Sequence, residues 1–178
     1  MHQELRALYE DQADRRGEFP ADLDERDERR RRRVEQLLAE GTVVDPDDLF
    51  HAAMVFQHGA DRSHFLRAHE LAKRAAGLGT TRPARWLAAA AYDRWLMTGG
   101  LPQKYGTQYR FANGRWVLYE VDPTTSDEER ARWDVPALAE ALRRADQMTC
   151  SAAPGHRDDG HRTGSDLDDR SSFQLGNR

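Results

Sequence analysis

Apolar positions recur at a helical spacing along most of the chain and alternate in only one place. Over residues 2–16, Leu5, Leu8, Tyr9 and Gln12 share a narrow stripe, which predicts an amphipathic helix. Residues 24–40, DERDERRRRRVEQLLAE, run from mixed charge into Val34, Leu37 and Leu38, and Gly41 is suited to end that helix in the left-handed conformation. The next start is sharply marked: Asp45 stands as N-cap, Pro46 at the first helical position, and Asp47 and Asp48 lie in the first turn, where free N–H groups favour negative charge. This third helix carries Leu49, Ala52, Ala53, Val55 and Phe56 and ends near His58 and Gly59.

Asp61 predicts another cap, for a helix through Phe65, Leu66, Ala68, Ala72 and Ala76 that Gly77 closes. Residues 83–97 form the most apolar helix, stopped by Gly99 and Gly100. The period then changes. QYRFANGRWVLYEV places two β-rich runs about Asn113-Gly114, the pair that a type I′ turn requires, and predicts a hairpin. Ser126 and Glu129 match a capping box for a short helix, and Pro136 to Met148 supply a last one. The expected fold is mainly α: a single-domain bundle of about five to seven helices over residues 1–150, with a small hairpin near residues 108–121. From residue 151 to 178 the apolar residues nearly vanish, and a disordered tail is expected.

Charge alters this picture little. Charged residues make up 33% of the 178, with both signs interspersed and a net charge of −4, which gives no footprint for nucleic acid. The arginine run at 29–33 follows Asp24, Glu25, Asp27 and Glu28, which can pair with it at helical spacing on a solvated face. No segment approaches the roughly 18 apolar residues of a membrane span, and the N-terminus lacks the apolar run of a signal peptide, so a cytoplasmic protein is expected. Cys150 stands alone, which removes internal disulfides and cysteine-based zinc patterns. His51 and His58 lie about 10 Å apart along a helix axis, and His64 and His69 point apart, so no metal site is expected. No cofactor is expected either: Gly99 and Gly100 follow a helix, whereas a phosphate-binding loop follows a strand.

What remains is a set of polar residues in apolar settings. Trp86, Ala90, Asp93 and Met97 share one stripe of the apolar fifth helix, so Asp93 should be at least partly buried and must find a partner. That partner is either an arginine of the N-terminal helices, such as Arg15, or the loop after residue 99. Arg94 points about 100° away from Asp93. His58 closes one helix and Asp61 opens the next; as a pair they suit general-base chemistry, and as separate residues they suit helix capping. Gln103, Tyr105, Thr107 and Gln108 crowd four hydrogen-bonding side chains around Gly106, a density that suits either a binding loop or a network bracing the hairpin.

The combination of D-Q-x-x-R (Asp11, Gln12, Arg15), Q-H-x-x-D (Gln57, His58, Asp61), D-R (Asp93, Arg94) and Q-x-Y-G-T-Q (Gln103 to Gln108) resembles a family of bacterial proteins known only as a domain of unknown function. The resemblance runs over roughly residues 5 to 145 and includes the segment DEERARWDVPAL, where Arg130 or Arg132 matches the family's arginine. It implies no reaction, but it groups these motifs as one site.

Two readings follow. In the first, a polar pocket binds a small polar or anionic ligand, with Arg94, Gln103, Tyr105, Thr107 and Gln108 as binding groups, His58 and Asp93 as catalytic residues, and Asp11, Arg15 and Asp61 in support. A metal-independent hydrolase or transferase is the reaction class it would suit. In the second, the chain is a non-enzymatic module with a protein partner, and the polar cluster holds its core together.

Overall fold

The computed structural model describes residues 2–13, 22–80 and 82–151. Arg15 and the tail from residue 152 lie outside them. Seven helices and one hairpin follow in chain order: α1 (Gln3–Ala13), α2 (Leu23–Ala39), α3 (Pro46–Gln57), α4 (Arg62–Gly77), α5 (Ala84–Thr98), β1 (Tyr109–Ala112), β2 (Arg115–Leu118), α6 (Asp127–Arg132) and α7 (Leu138–Ser151). The mainly helical bundle with a small hairpin is thus the fold. The last helix runs three residues past its expected end at Met148.

Helix α3 is the centre. Its Asp45 cap accepts a hydrogen bond from the Asp47 N–H at 2.9 Å. From Asp48 to Gln57 every residue is buried, so this helix is enclosed on all sides rather than amphipathic. Leu49 and Phe50 sit in one cluster with Leu5 of α1, Val34 and Leu37 of α2, and Leu71 of α4. Burying each such side chain contributes about 1.5–3 kcal/mol. Helices α4 and α5 meet through small residues, with Ala68, Ala72 and Ala75 on one and Ala84, Ala88 and Ala91 on the other, all buried in the same cluster.

The arginine run is paired as its charge pattern predicts. Arg29 meets Glu25 and Arg32 meets Glu28 one turn back. Arg33 reaches across to Glu4 of α1 at 2.6 Å, and Arg30, itself buried, joins Asp27 and Asp11. Asp11 therefore staples α1 to α2 through Arg26 and Arg30.

A second, smaller cluster of Ala89, Tyr105 and Val135, packed by Trp86, Tyr92 and Trp133, joins α5 to the chain that follows it. The hairpin pairs Tyr109 with Leu118 and Ala112 with Arg115. Its turn residues Asn113 and Gly114 both have positive φ, 53° and 77°, as the type I′ geometry demands. Helix α7 packs against β2, and the Thr149 hydroxyl oxygen accepts a hydrogen bond from the Trp116 N–H at 2.8 Å. No helix among the described residues is long and apolar enough to cross a membrane.

Candidate functional site

The motif residues converge on the C-terminal half of α5. Four consecutive buried alanines, 88 to 91, carry the helix into the core, and two residues later Asp93 is fully buried. Gly99 and Gly100 end the helix, and the chain turns back over it. Gly106, at φ 86°, then lets the backbone aim several N–H groups at one point. The result is a carboxylate wrapped by a loop: Asp93 Oδ1 accepts from the N–H groups of Lys104 (2.7 Å) and Tyr105 (2.8 Å), and Oδ2 from the N–H (3.0 Å) and hydroxyl (2.7 Å) of Thr107. Burial pushes the Asp93 carboxyl up from its ordinary value, and these four bonds oppose the rise. Because every partner donates, the cage suits the ionised form.

Gln103 is the second closed element. Its side-chain amide donates to the carbonyls of Gln108 (3.1 Å) and Tyr119 (3.0 Å), and its carbonyl accepts from the Gln108 N–H at 2.9 Å. Its own backbone bridges Glu120 and Asp122 at 3.0 and 2.8 Å. With no exposed surface, this glutamine extends the hairpin where regular pairing stops. The Gln108 side chain donates to the Thr107 hydroxyl at 2.9 Å and to the Ala90 carbonyl at 3.4 Å, tying the loop to α5 a second time.

Tyr105 contributes its ring to the core, 6.2 Å from Tyr92 and 6.0 Å from Trp133. Burial pushes its hydroxyl up to about 12, so it stays neutral at physiological pH. The Tyr105 carbonyl accepts from Arg130 Nε at 3.1 Å, while Arg130 Nη1 donates to the Thr125 carbonyl at 2.6 Å and to Asp127 at 3.1 Å. This guanidinium, only 2% exposed, locks α6 to the loop, whereas Arg132 is exposed. Residue spacing gave no sign of Arg130 and did not distinguish it from Arg132. Helix α6 starts as its capping signal predicts, with the Ser126 hydroxyl oxygen accepting from the Glu129 N–H at 3.2 Å. The Glu129 carboxylate meets the Lys104 ammonium at 2.7 Å.

The other expected residues lie at a different junction, between α3, α4 and α5. Arg94 Nη1 donates to the Gln57 carbonyl at 3.1 Å, and its guanidinium lies 4.6 Å from the centre of the Phe65 ring, an arrangement that closes the C-terminus of α3. His58, half-buried, is the C-cap residue of α3. Asp61 caps α4, accepting from the Ser63 hydroxyl (2.6 Å) and from the N–H groups of Ser63 (2.9 Å) and His64 (3.2 Å). The Ser63 hydroxyl leads in holding the Asp61 carboxyl below its usual range. Its imidazole neighbour is His64, 3.6 Å away on the next turn. Burial lowers the affinity of His51, His64 and His69 for a proton.

The structure therefore brings together Asp93, Gln103, Tyr105, Thr107 and Gln108, and sets Arg94, His58 and Asp61 at the helix ends. Asp11 belongs to the α1–α2 staple, and Arg15 lies outside the described residues. Among the described residues no group of three or more His, Cys, Asp or Glu side chains is placed to hold a metal ion. No protein-family model, no curated protein and no solved structure matched the chain.

Proposed function

We infer that this chain is a non-enzymatic cytoplasmic interaction module with a protein partner, and that its polar motif cluster serves the fold. The observation that carries the structural reading of the cluster is saturation: Asp93 and Gln103 are fully buried, and the carboxylate and the amide spend their hydrogen-bonding capacity on the chain's own backbone and on Thr107. A catalytic carboxylate needs a proton or a substrate atom within reach, and here those directions are filled. A catalytic His58 with Asp93 has less support, since the four Asp93 bonds come from residues 104, 105 and 107. On this reading the D-R and Q-x-Y-G-T-Q motifs, on which the resemblance to the bacterial family rests, are a folding signature.

Melts of variants test it. Asp93→Asn turns an amide toward backbone N–H groups, and Gln103→Ala removes three hydrogen bonds to the backbone of Gln108 and Tyr119; each should cost about 1 to 3 kcal/mol or more. A functional site predicts the opposite, variants that melt at or above the wild-type temperature, because functional groups are seldom optimised for stability. That outcome would overturn the reading.

A further inference from the structure

Beside the closed network lies a space that the chain leaves open. A cavity of about 170 Å³ is walled by Gly106 and Thr107 of the loop, Trp86 of α5, Tyr109 of β1 and the inner face of α7. Its volume is similar to that of engineered cavities of about 150 Å³ that hold a benzene molecule, so it has room for one six-membered ring with a small substituent.

The walls have two characters. Trp86, Val135, Pro136 and Ala141 supply apolar surface. Tyr109, Arg144 and Gln147 supply hydrogen-bond donors; burial pushes the Tyr109 hydroxyl up, and the Arg144 charge opposes that rise. Glu140 also lines the cavity, but its carboxylate is drawn to Arg143 at 2.7 Å. No carboxylate among the described residues pairs with Arg144, although the arginines of α2 are almost all matched. An arginine fork without an acid, next to a neutral phenol and an indole face, is complementary to a planar anion.

We propose that this cavity binds a small monocyclic aromatic carboxylate, with the ring against Trp86 and the carboxylate on Arg144 and Tyr109. The site shares Gly106 and Thr107 of the loop with the Asp93 cage, but its proposed binding groups Trp86, Tyr109 and Arg144 donate nothing to Asp93, so it stands whether or not that cage is purely structural. It makes the module responsive to a metabolite-sized acid through α7 and the loop together.

Calorimetric titration of the full chain with benzoate, 4-hydroxybenzoate and nicotinate tests the proposal, with benzamide as the uncharged isostere. At least one acid should bind saturably with a dissociation constant of about 1 mM or below, a modest affinity for so few atoms. Benzamide should bind at least about tenfold more weakly, and Arg144→Gln and Tyr109→Phe should each weaken the acid by a similar factor. Arg144 is exposed on α7, so its variant should melt like wild type and remain interpretable. Glu140→Gln should bind as well as wild type or better. No saturable binding of any of the three acids, or binding indifferent to Arg144→Gln, would overturn the proposal.

Discussion

Thr107 belongs to two regions that differ in what they do with polar groups. On one side its N–H and hydroxyl complete the cage around Asp93, where each donor meets an acceptor within 3.0 Å. On the other it walls a cavity where Glu140 is paired with Arg143 and no carboxylate among the described residues pairs with Arg144. The first region looked functional from its density of polar residues and is closed; the second borrows only backbone and small side chains from the motif segments, takes Tyr109 and Arg144 from outside them, and is open. A crowd of hydrogen-bonding side chains marks a stretch of backbone without regular secondary structure, where side chains must replace the missing ladder. A binding site is marked instead by groups left over after that accounting.

The comparison breaks most visibly at Arg130. If the closed region is a unit of the fold, Arg130→Ala strands the carbonyls of Tyr105 and Thr125 together and should cost about 3 kcal/mol. For a chain of this size that is a fall of roughly 6–12 °C in melting temperature, readable by calorimetry. A fall under about 2 °C would mean that the loop holds without its clamp.

A smaller effect sharpens the same contrast at His51, which is as deeply buried as the cage but has an Nδ1 with no hydrogen-bond partner. Its ring stacks on Tyr9 at 4.5 Å, and burial, followed by the nearby Arg82 charge, holds its pKa below the ordinary value. The unfolded chain therefore takes up the proton first. Stability from this group is complete above about pH 6.5 and is lost as pH falls below that value toward the folded-state pKa, with His64 and His69 acting in the same sense. Urea midpoints should drop between pH 7 and pH 5.5, and His51→Phe should remove part of that drop. A drop of equal size in the variant would exclude His51 as a contributor.

The helix boundaries and the hairpin were legible because each depends on neighbours in the chain. Asp45, Asp61 and Ser126 cap within three residues of themselves, and Asn113-Gly114 needs only its own φ angles. The burial of Asp93 was legible from helical spacing, and the loop after residue 99 was one of two partners that spacing allowed. Of the two readings of His58 and Asp61, capping is the one formed: His58 is the C-cap residue of α3, and Asp61 turns toward Ser63 and His64, a neighbour on the next turn that the His58 motif did not name. Arg130 and the cavity were hidden for a different reason. Each is made by segments 20 to 60 residues apart, such as Trp86 with Arg144, and nothing local in either segment records the meeting.

The most direct test needs no mutation: hydrogen exchange at the amides of Lys104, Tyr105 and Thr107, the three N–H groups that Asp93 accepts. If the cage is part of the core, these amides exchange only through global unfolding, as slowly as the most protected amides of α5. If they exchange as fast as the exposed turn at residues 113–114, the loop opens independently, and the claim that the motif cluster serves the fold is wrong.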